Sequence, residues 1–351
     1  MKPPDISSIR AQYDPENMWE AIATFGEQIS KASTISLPRF DSIDIGRIQN
    51  IVFCGMGGSA IGGDLLATCF QDELKVPLFV NRHYTLPGFV NDRTLLVVSS
   101  YSGNTEETLS ALSAGENAGA QIIGISSGGK VTRRLTLAGY PLIQIPGGMQ
   151  PRAALGYSFI PTARAFAEMN LLGRDLSQDI EESSNLIRTL SETYQDQNKD
   201  NIAYELARSL IHTVPVIYTT PELAVVGTRW KGQLAENAQM LVFTNEIPEM
   251  NHNEIMGWDT QPDFMSQISL IWLSDQAAHP AVEKRMDITR DLISEYAQQE
   301  TLISTTGTSG MARLFSLIHL GDWVSLHVAL LQKIDPTPVE RIGLLKSKLA
   351  K

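Results

Sequence analysis

The chain of 351 residues is long enough for two domains with separate cores, and its 43% hydrophobic and 19% charged residues are typical of a soluble globular protein. Its formal net charge of 28 − 39 = −11, with no basic run longer than Arg133-Arg134, argues against nucleic-acid binding, because duplex affinity depends on neutralising phosphates with Lys and Arg. We also expect no membrane span, no zinc site at Cys54 and Cys69, and a reduced, cytoplasmic location, because the sequence shows no 18-residue apolar run, zinc spacing or signal-peptide pattern.

Residues 1–45 are predicted to form a helical lead-in, in which Met18, Ile22, Phe25 and Ile29 recur at helical spacing. Over residues 46–160, short apolar runs alternate with helical segments, which is the pattern of a parallel sheet covered on both faces. The predicted strands are 51–54, 76–80, 94–99, 122–126 and 142–145. The predicted helices lie near 59–70, 105–118 and 129–139.

Residues 161–200 are predicted to form a long helical linker, which ends at the polar break 198–201. The alternation resumes over residues 201–333, and residues 334–351 form a tail with a short amphipathic helix. The later predicted strands are 214–219, 268–273 and 301–304, and the later helices are 222–241, 281–297 and 312–332. The sequence therefore predicts an α/β protein with two doubly wound parallel-sheet domains in tandem, whose sites lie beyond the C-terminal ends of the strands.

The first strand runs into a glycine-rich turn, GMGGSA at 55–60, that opens a helix. Its G-x-G-x-x-A pattern is a weak fingerprint of a dinucleotide site, whose test is an acidic residue at the end of the second strand. Here that strand ends at Asn81-Arg82-His83, and the Gly-Lys-Ser/Thr sequence of a P-loop is missing. We therefore interpret Gly57, Gly58 and Ser59 as a close approach of the backbone to a small polar ligand. The alternative is a purely structural turn.

A hydroxyl-rich turn, SYSGNT at 100–105, follows the predicted strand 94–99 and precedes a helix that opens with Glu106-Glu107. It places three hydroxyl groups and free backbone N–H groups at a helix N-terminus, where the helix dipole favours an anion. The turn contains no lysine, so it suits the binding of a phosphate monoester rather than the activation of a nucleotide. The alternative is an ordinary Ser/Thr-rich helix cap.

These two turns together resemble the sugar isomerase (SIS) domain. Further motifs are similar to the bifunctional phosphoglucose/phosphomannose isomerase family, namely QPRAALGY at 150–157, EN at 236–237, EMNHNE at 249–254, DPTPV at 335–339 and LK at 345–346. The resemblance covers about residues 45 to 349 and implies two flavodoxin-like SIS domains and a homodimer. It also implies an aldose–ketose isomerase that interconverts glucose 6-phosphate or mannose 6-phosphate with fructose 6-phosphate, without a metal or a nucleotide cofactor.

The resemblance also implies a role for each matching position. It implies that the phosphate is surrounded by Ser59, Ser100, Ser102 and Thr105, next to Gly57 and Gly58. It also implies that Arg152 lies beside the reacting carbons and that Glu236 is the base. The groups that it implies for opening the ring are His252 and Lys346. The family's histidine reaches the site from the other subunit. One position departs from the family, because related enzymes can carry a polar residue seven positions before the tail lysine, where this chain has Val339.

The residue types suit an enediolate mechanism. Apolar neighbours are expected to desolvate the carboxylate of Glu236 and favour proton transfer; the alternative is a solvated residue on a helix surface. Arg152 offers a permanent charge to an oxyanion, unless it is a surface residue that starts a helix. His252 is suited to moving a proton, and its alternatives are a pair with a nearby glutamate or a metal site with Glu249 and Glu254.

Lys346 lies in the tail, where a solvated lysine is the alternative to a catalytic one. Two other functions stay open for the whole chain. One is a different phosphosugar or amino-sugar isomerase on the same fold, and the other is a non-catalytic phosphosugar sensor. Residues 1–45 contain no basic helix–turn–helix of the kind that such regulators carry.

Overall fold

The computed structural model describes residues 6–196 and 201–349. These residues form two compact units, each with its own sheet. The first-sheet unit comprises Phe25–Asn185 with Ser309–Met311, and the second-sheet unit contains the other described residues. Most of the polar break predicted at 198–201, together with residues 1–5 of the lead-in and 350–351 of the tail, lies outside the described residues.

In the first-sheet unit, five described strands form a sheet that is parallel throughout. The strands are β1 (Asn50–Cys54), β2 (Leu78–Asn81), β3 (Thr94–Ser100), β4 (Gln121–Ser126) and β5 (Leu142–Gln144). Their order, β2-β1-β3-β4-β5, is the flavodoxin-like order, which reverses direction between β1 and β3. Every residue of β3 is buried, as expected for a central strand with both faces covered.

In the second-sheet unit, four described strands form another parallel sheet. The strands are β6 (Val214–Thr219), β7 (Phe243–Glu246), β8 (Ile268–Ser274) and β9 (Gln299–Ser304). Their order, β7-β6-β8-β9, repeats the first four positions of the first sheet. The predicted tandem pair of doubly wound α/β domains is therefore confirmed.

The helices precede, connect and follow the strands. Those before β6 are α1 (Ile6–Tyr13), α2 (Met18–Ala23), α3 (Phe25–Ser33), α4 (Gly58–Cys69), α5 (Glu106–Asn117), α6 (Gly129–Ala138), α7 (Leu155–Glu168), α8 (Ser177–Gln195) and α9 (Ile202–Leu210). Those after β6 are α10 (Ala224–Ala238), α11 (Pro262–Met265), α12 (Pro280–Ile293), α13 (Gly310–Leu331) and α14 (Glu340–Leu349). The lead-in is helical in its described part, with α1 and α2 in the second-sheet unit and α3 in the first-sheet unit.

The long helical stretch predicted over residues 161–200 is divided, because the described chain there forms the end of α7 and the whole of α8. α7 ends just before Asn170, whose left-handed backbone (φ 53°) cannot continue a helix. The connection then buries Leu171, Leu172 and Leu176. These leucines extend the apolar pattern across the loop, so periodicity alone does not locate the break.

β7 and α9 are absent from the sequence prediction. β7 is a four-residue edge strand, FTNE, without a buried residue, so neither an apolar run nor an alternation marks it. α9 is capped by Asn201, whose side-chain oxygen accepts a hydrogen bond from the Tyr204 backbone N–H at 3.1 Å. The residue that we interpreted as part of a break is thus the start signal of the next helix.

α13 is a core helix. Its length and composition would allow it to cross a membrane, but 94% of its apolar window is buried inside the protein. Burial lowers the pKa of His319 on this helix to about 3, with a smaller contribution from Arg229, and it lowers the pKa of His327 to about 4. Both imidazoles are therefore neutral, and His327 Nε2 donates a hydrogen bond to the carbonyl oxygen of Tyr194 at 3.0 Å.

Candidate functional site

The glycine-rich turn after β1 is shaped by close backbone approaches. Gly57 has a left-handed backbone (φ 50°) that favours glycine. A Cβ on Gly58 would lie 2.9 Å from the carbonyl oxygen of Pro151, so only glycine lets that segment approach the start of α4. Ser59, in the first turn of α4, is buried, and its Oγ accepts a hydrogen bond from the Tyr101 backbone N–H at 3.0 Å. Ser59 therefore joins the glycine-rich turn to the hydroxyl-rich one.

The hydroxyl-rich turn lies at the N-terminus of α5, as predicted. Ser100 ends β3 with its side chain fully buried, and its Oγ lies 3.0 Å from Thr105 Oγ1. Thr105 precedes α5 in an extended conformation, and its hydroxyl makes no capping hydrogen bond to the helix. Ser102 is exposed, and its Oγ accepts a hydrogen bond from the Asn104 backbone N–H at 3.3 Å. The Thr105 hydroxyl is therefore not used to cap α5. This favours an oxyanion as the ligand of the hydroxyl groups in the turn.

Contacts from other segments hold this turn in place. Gly103 is pressed against residues 128–129, since a Cβ there would lie 1.7 Å from the Gly128 carbonyl oxygen. The Asn104 side-chain oxygen accepts a hydrogen bond from the Lys130 backbone N–H at 3.2 Å. Tyr101 also accepts a hydrogen bond at its hydroxyl from the Met149 backbone N–H at 3.1 Å. No local pattern marks these three contacts, because each joins segments that are distant along the chain.

Arg152 is part of the same unit. It lies in the 3₁₀ turn Pro151–Ala153 and is only 5% exposed, so the alternative of a surface arginine is wrong. The Arg152 backbone nitrogen is 3.4 Å from the position that a Cβ on Gly58 would take, which places this turn against the first turn of α4. A permanent positive charge is therefore built into the unit that carries the hydroxyl-rich turn.

Glu236 belongs to the second-sheet unit, where it lies near the end of α10. It is half-buried and lines a cavity of about 590 Å³, whose lining residues are seven apolar ones and five polar ones, with Asp335, Glu340 and Arg341 as the other charged groups. Val339 lines the same cavity, together with Ala235, Met240, Leu241, Ile334, Pro338 and Ile342. The carboxylate is thus neither fully solvated nor fully buried. Val339, where related enzymes can carry a polar residue, contributes an apolar side chain to the cavity wall.

Buried polar contacts between α10 and α13 fix the helix that carries Glu236. Asp322 accepts hydrogen bonds from Arg229 Nη2 at 2.7 Å and from Gln233 Nε2 at 2.8 Å. One turn later, Asn237 Nδ2 donates to Ser325 Oγ at 2.9 Å. A buried ion pair is tolerated only when further hydrogen bonds satisfy its atoms, and Gln233 supplies one. The orientation of α10 is therefore set by specific partners.

His252 is exposed at the end of the 3₁₀ turn Glu249–His252. The loop around it is anchored, because Met250 is fully buried and the Glu254 carboxylate accepts hydrogen bonds from the Tyr218 hydroxyl and from Asn245 Nδ2. Glu249 in turn accepts a hydrogen bond from the Asn253 side chain. Both glutamates near His252 therefore bind other groups, and residues 6–196 and 201–349 contain no group of three His, Cys, Asp or Glu side chains placed to hold a metal ion.

Lys346 lies on α14, which has no buried residue. The cavity that Glu236 lines also contacts the start of this helix, at Glu340, Arg341 and Ile342, but Lys346 is exposed and is not among its lining residues. The structure thus gathers Gly57, Gly58, Ser59, Ser100, Ser102, Thr105 and Arg152 in the first-sheet unit. Glu236, His252 and Lys346 belong to the second-sheet unit, and there they occupy α10, an anchored loop and α14 respectively.

In the second sheet, the C-terminal end of β8 occupies the position that the end of β3 has in the first sheet, and a carboxylate follows it. Asp275, which follows β8, is buried, and its Oδ1 accepts hydrogen bonds from Thr305 Oγ1 at 2.9 Å and from Arg313 Nε at 2.8 Å. The hydroxyl and the cation at this edge are therefore paired with a protein anion, and a phosphate would meet negative charge. The shared topology does not by itself create an anion site.

Known proteins resemble this chain over most of its length. A family model described as the bacterial phospho-glucose isomerase C-terminal SIS domain matches residues 199–349. A bifunctional phosphoglucose/phosphomannose isomerase of Caldicellulosiruptor bescii is 42% identical over 336 residues, which are 95% of this chain and 99% of the relative. A protein of the same name from Aquifex aeolicus is 35% identical over 309 residues, 88% of this chain and 92% of the relative. A solved structure of a hypothetical protein from Thermus thermophilus has a TM-score of 0.73 at 16% identity, covering 99% of this chain and 94% of its own, and it shows the fold alone.

Proposed function

The chain belongs to the bifunctional phosphoglucose/phosphomannose isomerase family, and we propose that it interconverts glucose 6-phosphate and mannose 6-phosphate with fructose 6-phosphate. The observation that carries this proposal is the 42% identity that spans 99% of a relative bearing that name. The hydroxyl-lined turns of the first-sheet unit support it, because they offer a sugar phosphate donors at a helix N-terminus. The two aldose phosphates differ only in configuration at C2, so both give the same cis-enediolate when the C2 proton leaves.

In this proposal the phosphate is bound by Ser59, Ser100, Ser102 and Thr105. Ser59 Oγ already accepts a hydrogen bond from a backbone N–H, so its own proton can be donated to a phosphate oxygen. Beside Gly57 a Cβ would meet no other atom within 4 Å, so this position leaves room for the anion near the start of α4, where Gly58 follows with its backbone. The net charge of −11 repels an anionic substrate at long range, but screening beyond about 8–10 Å leaves these local donors to decide binding.

Glu236 is the proposed base. It takes the proton from C2 of the open-chain aldose and returns it to C1, while O2 loses a proton and O1 gains one. The cavity that Glu236 lines combines apolar side chains with Asp335, Glu340 and Arg341, and a carboxylate held in such a cavity suits a positioned general base. The proposed partner of the developing oxyanion is Arg152, whose charge is permanent. The segment 46–160 would thus supply the phosphate turns, and the segment 201–333 would supply the base.

His252 and Lys346 are the groups proposed to open the hexose ring, and we propose a homodimer in which the partner subunit's His252 completes the site. The exposed position of His252 on an anchored loop supports this, because an exposed imidazole held in a fixed place can serve a neighbouring molecule. The chemistry needs no external hydride carrier, since C2 loses the two electrons that C1 gains within one sugar, and in this proposal the charge of Arg152 takes the place of a metal ion. A cytoplasmic location is part of the proposal, and Cys54 and Cys69, neither of which is in a disulfide, support it.

The test is an isomerase assay with glucose 6-phosphate and mannose 6-phosphate as separate substrates, followed by NMR so that no coupling enzyme is required. We expect both to be converted to fructose 6-phosphate at rates that a metal chelator does not change. Binding of fructose 6-phosphate without conversion would identify a sensor instead. Conversion of only an amino-sugar phosphate, such as glucosamine 6-phosphate, would identify a different isomerase, and chelator-sensitive mannose 6-phosphate conversion would contradict the metal-free mechanism.

A further inference from the structure

Gln28 is a buried polar residue that the proposed reaction does not use. It lies on α3, before the first strand, and is 4% exposed. A buried carboxamide costs free energy unless both its nitrogen and its oxygen find partners. The partners of Gln28 therefore indicate what its burial serves.

Both ends of the Gln28 side chain bind one short segment. Nε2 donates a hydrogen bond to the Ala153 carbonyl oxygen at 2.8 Å and a longer one to Met149 Sδ at 3.8 Å, and Oε1 accepts one from the Gly156 backbone N–H at 2.7 Å. Rotating the amide by half a turn would place oxygen against oxygen and N–H against N–H, so these two partners define its orientation. The side chain thus bridges the end of the 3₁₀ turn Pro151–Ala153 and the start of α7.

Two glycines make room for this arrangement. A Cβ on Gly156 would lie 2.8 Å from Gln28 Oε1, so a larger residue would displace the amide. A Cβ on Gly58 would lie 2.9 Å from the Pro151 carbonyl oxygen, so α4 approaches the same turn closely. The turn that carries Arg152 is therefore held both by the backbone of α4 and by the side chain of α3.

Resting on the role proposed above for Arg152, we infer that Gln28 is a positioning residue for that arginine. Its carboxamide fixes the backbone from which Arg152 extends, and so fixes the guanidinium relative to Ser59 in α4. A charged group stabilises a developing oxyanion only when it is held in place before the reaction. Freeing the turn would therefore slow the chemical step while leaving the phosphate contacts intact.

The test begins with Gln28→Leu, which keeps a similar volume and removes all three hydrogen bonds of the side chain. We expect kcat for fructose 6-phosphate to fall on the order of 10- to 100-fold, the loss typical of a displaced catalytic group, and KM to change little. The matched control is Ser184→Ala. It removes a buried hydrogen bond from Ser184 Oγ to the carbonyl oxygen of Gly26 (2.8 Å), which lies on α3 like Gln28. It does not change a hydrogen bond to the turn that carries Arg152. The control should keep the kinetics of the unaltered protein.

The deciding measurement repeats Gln28→Leu in an Arg152→Lys background. If Gln28 acts through Arg152, the loss in kcat should shrink to less than about twofold there, because the two changes are coupled. Equal losses in both backgrounds, or no loss in either, would overturn the inference. If Gln28→Leu does not fold, Gln28→Glu replaces it in the same measurements. Its carboxylate can still accept the hydrogen bond from the Gly156 N–H, but it cannot donate one to the Ala153 carbonyl oxygen. An unaltered protein without isomerase activity would overturn the proposed function, whereas an active protein with unaffected Gln28 variants would overturn only this inference.

Discussion

Replacing Thr105 with valine is expected to weaken the binding of fructose 6-phosphate and leave the fold intact. Thr105 Oγ1 lies 3.0 Å from Ser100 Oγ, and it makes no capping hydrogen bond to α5. Valine keeps the β-branched shape, so the substitution removes a hydroxyl with little change in packing. The effect should therefore fall on the bound phosphate rather than on the helix.

The expected magnitude follows from the kind of hydrogen bond that is lost. A hydrogen bond to a charged group contributes about 1.5–3 kcal/mol. Because about 1.4 kcal/mol corresponds to a factor of ten, Thr105→Val should raise the dissociation constant of fructose 6-phosphate by roughly 10- to 150-fold. Free fructose has no phosphate, so its weak binding should not change. The buried Ser100 hydroxyl loses one partner, which lowers the free energy of unfolding by about 1 kcal/mol.

Isothermal titration calorimetry with fructose 6-phosphate measures this change, and urea unfolding measures the stability. Thr108→Val is the matched control, since Thr108 lies in the first turn of α5, close to Thr105 along the chain, and its buried hydroxyl makes no hydrogen bond to any described residue. The control should bind fructose 6-phosphate like the unaltered protein. If Thr105→Val also binds it within about twofold of the unaltered protein, the hydroxyl-rich turn is not the phosphate site.

Three further predictions concern the second-sheet unit. Glu236→Gln should lower kcat by about 10²–10⁴-fold and leave fructose 6-phosphate binding intact, because only the proton transfer is removed; near-normal turnover would refute the role of base. Mixing inactive His252→Ala and Glu236→Gln subunits should restore activity in mixed dimers, whereas the absence of rescue would argue against a histidine shared across subunits. The lowered pKa values of His319 and His327 mean that the unfolded chain binds protons at these side chains below about pH 6.5, whereas the native protein binds them only near pH 3 at His319 and pH 4 at His327. The free energy of unfolding should therefore fall with decreasing pH in that range by about 1.4 kcal/mol per pH unit for each histidine. Urea unfolding of His327→Gln should show a shallower fall, whereas the control His83→Gln, at an exposed histidine, should not. If the pH dependence of the free energy of unfolding is unchanged in His327→Gln, the buried imidazole of His327 is not neutral in the native protein.

Local sequence was enough to predict the strands of the first sheet, three of the four described strands of the second, and the hydroxyl-rich turn. β3 is predicted almost residue for residue, because an unbroken apolar, β-branched run of that length fits a strand covered on both faces. The turn at 100–105 is predicted because its strand, its glycine and the first-turn acids of α5 are adjacent in the chain. These signals act over a few residues, so no distant contact is needed to specify them.

Contacts between residues that are far apart along the chain decided the rest. The sequence leaves Arg152 open as a surface residue or a site residue, and it is buried because Gly58 admits the backbone of its turn. Gln28 looks like one more polar residue of an amphipathic helix, yet its amide binds a carbonyl 125 residues away. Whether a polar side chain is buried depends on the partners it finds there, and only the folded chain brings such partners within hydrogen-bonding distance.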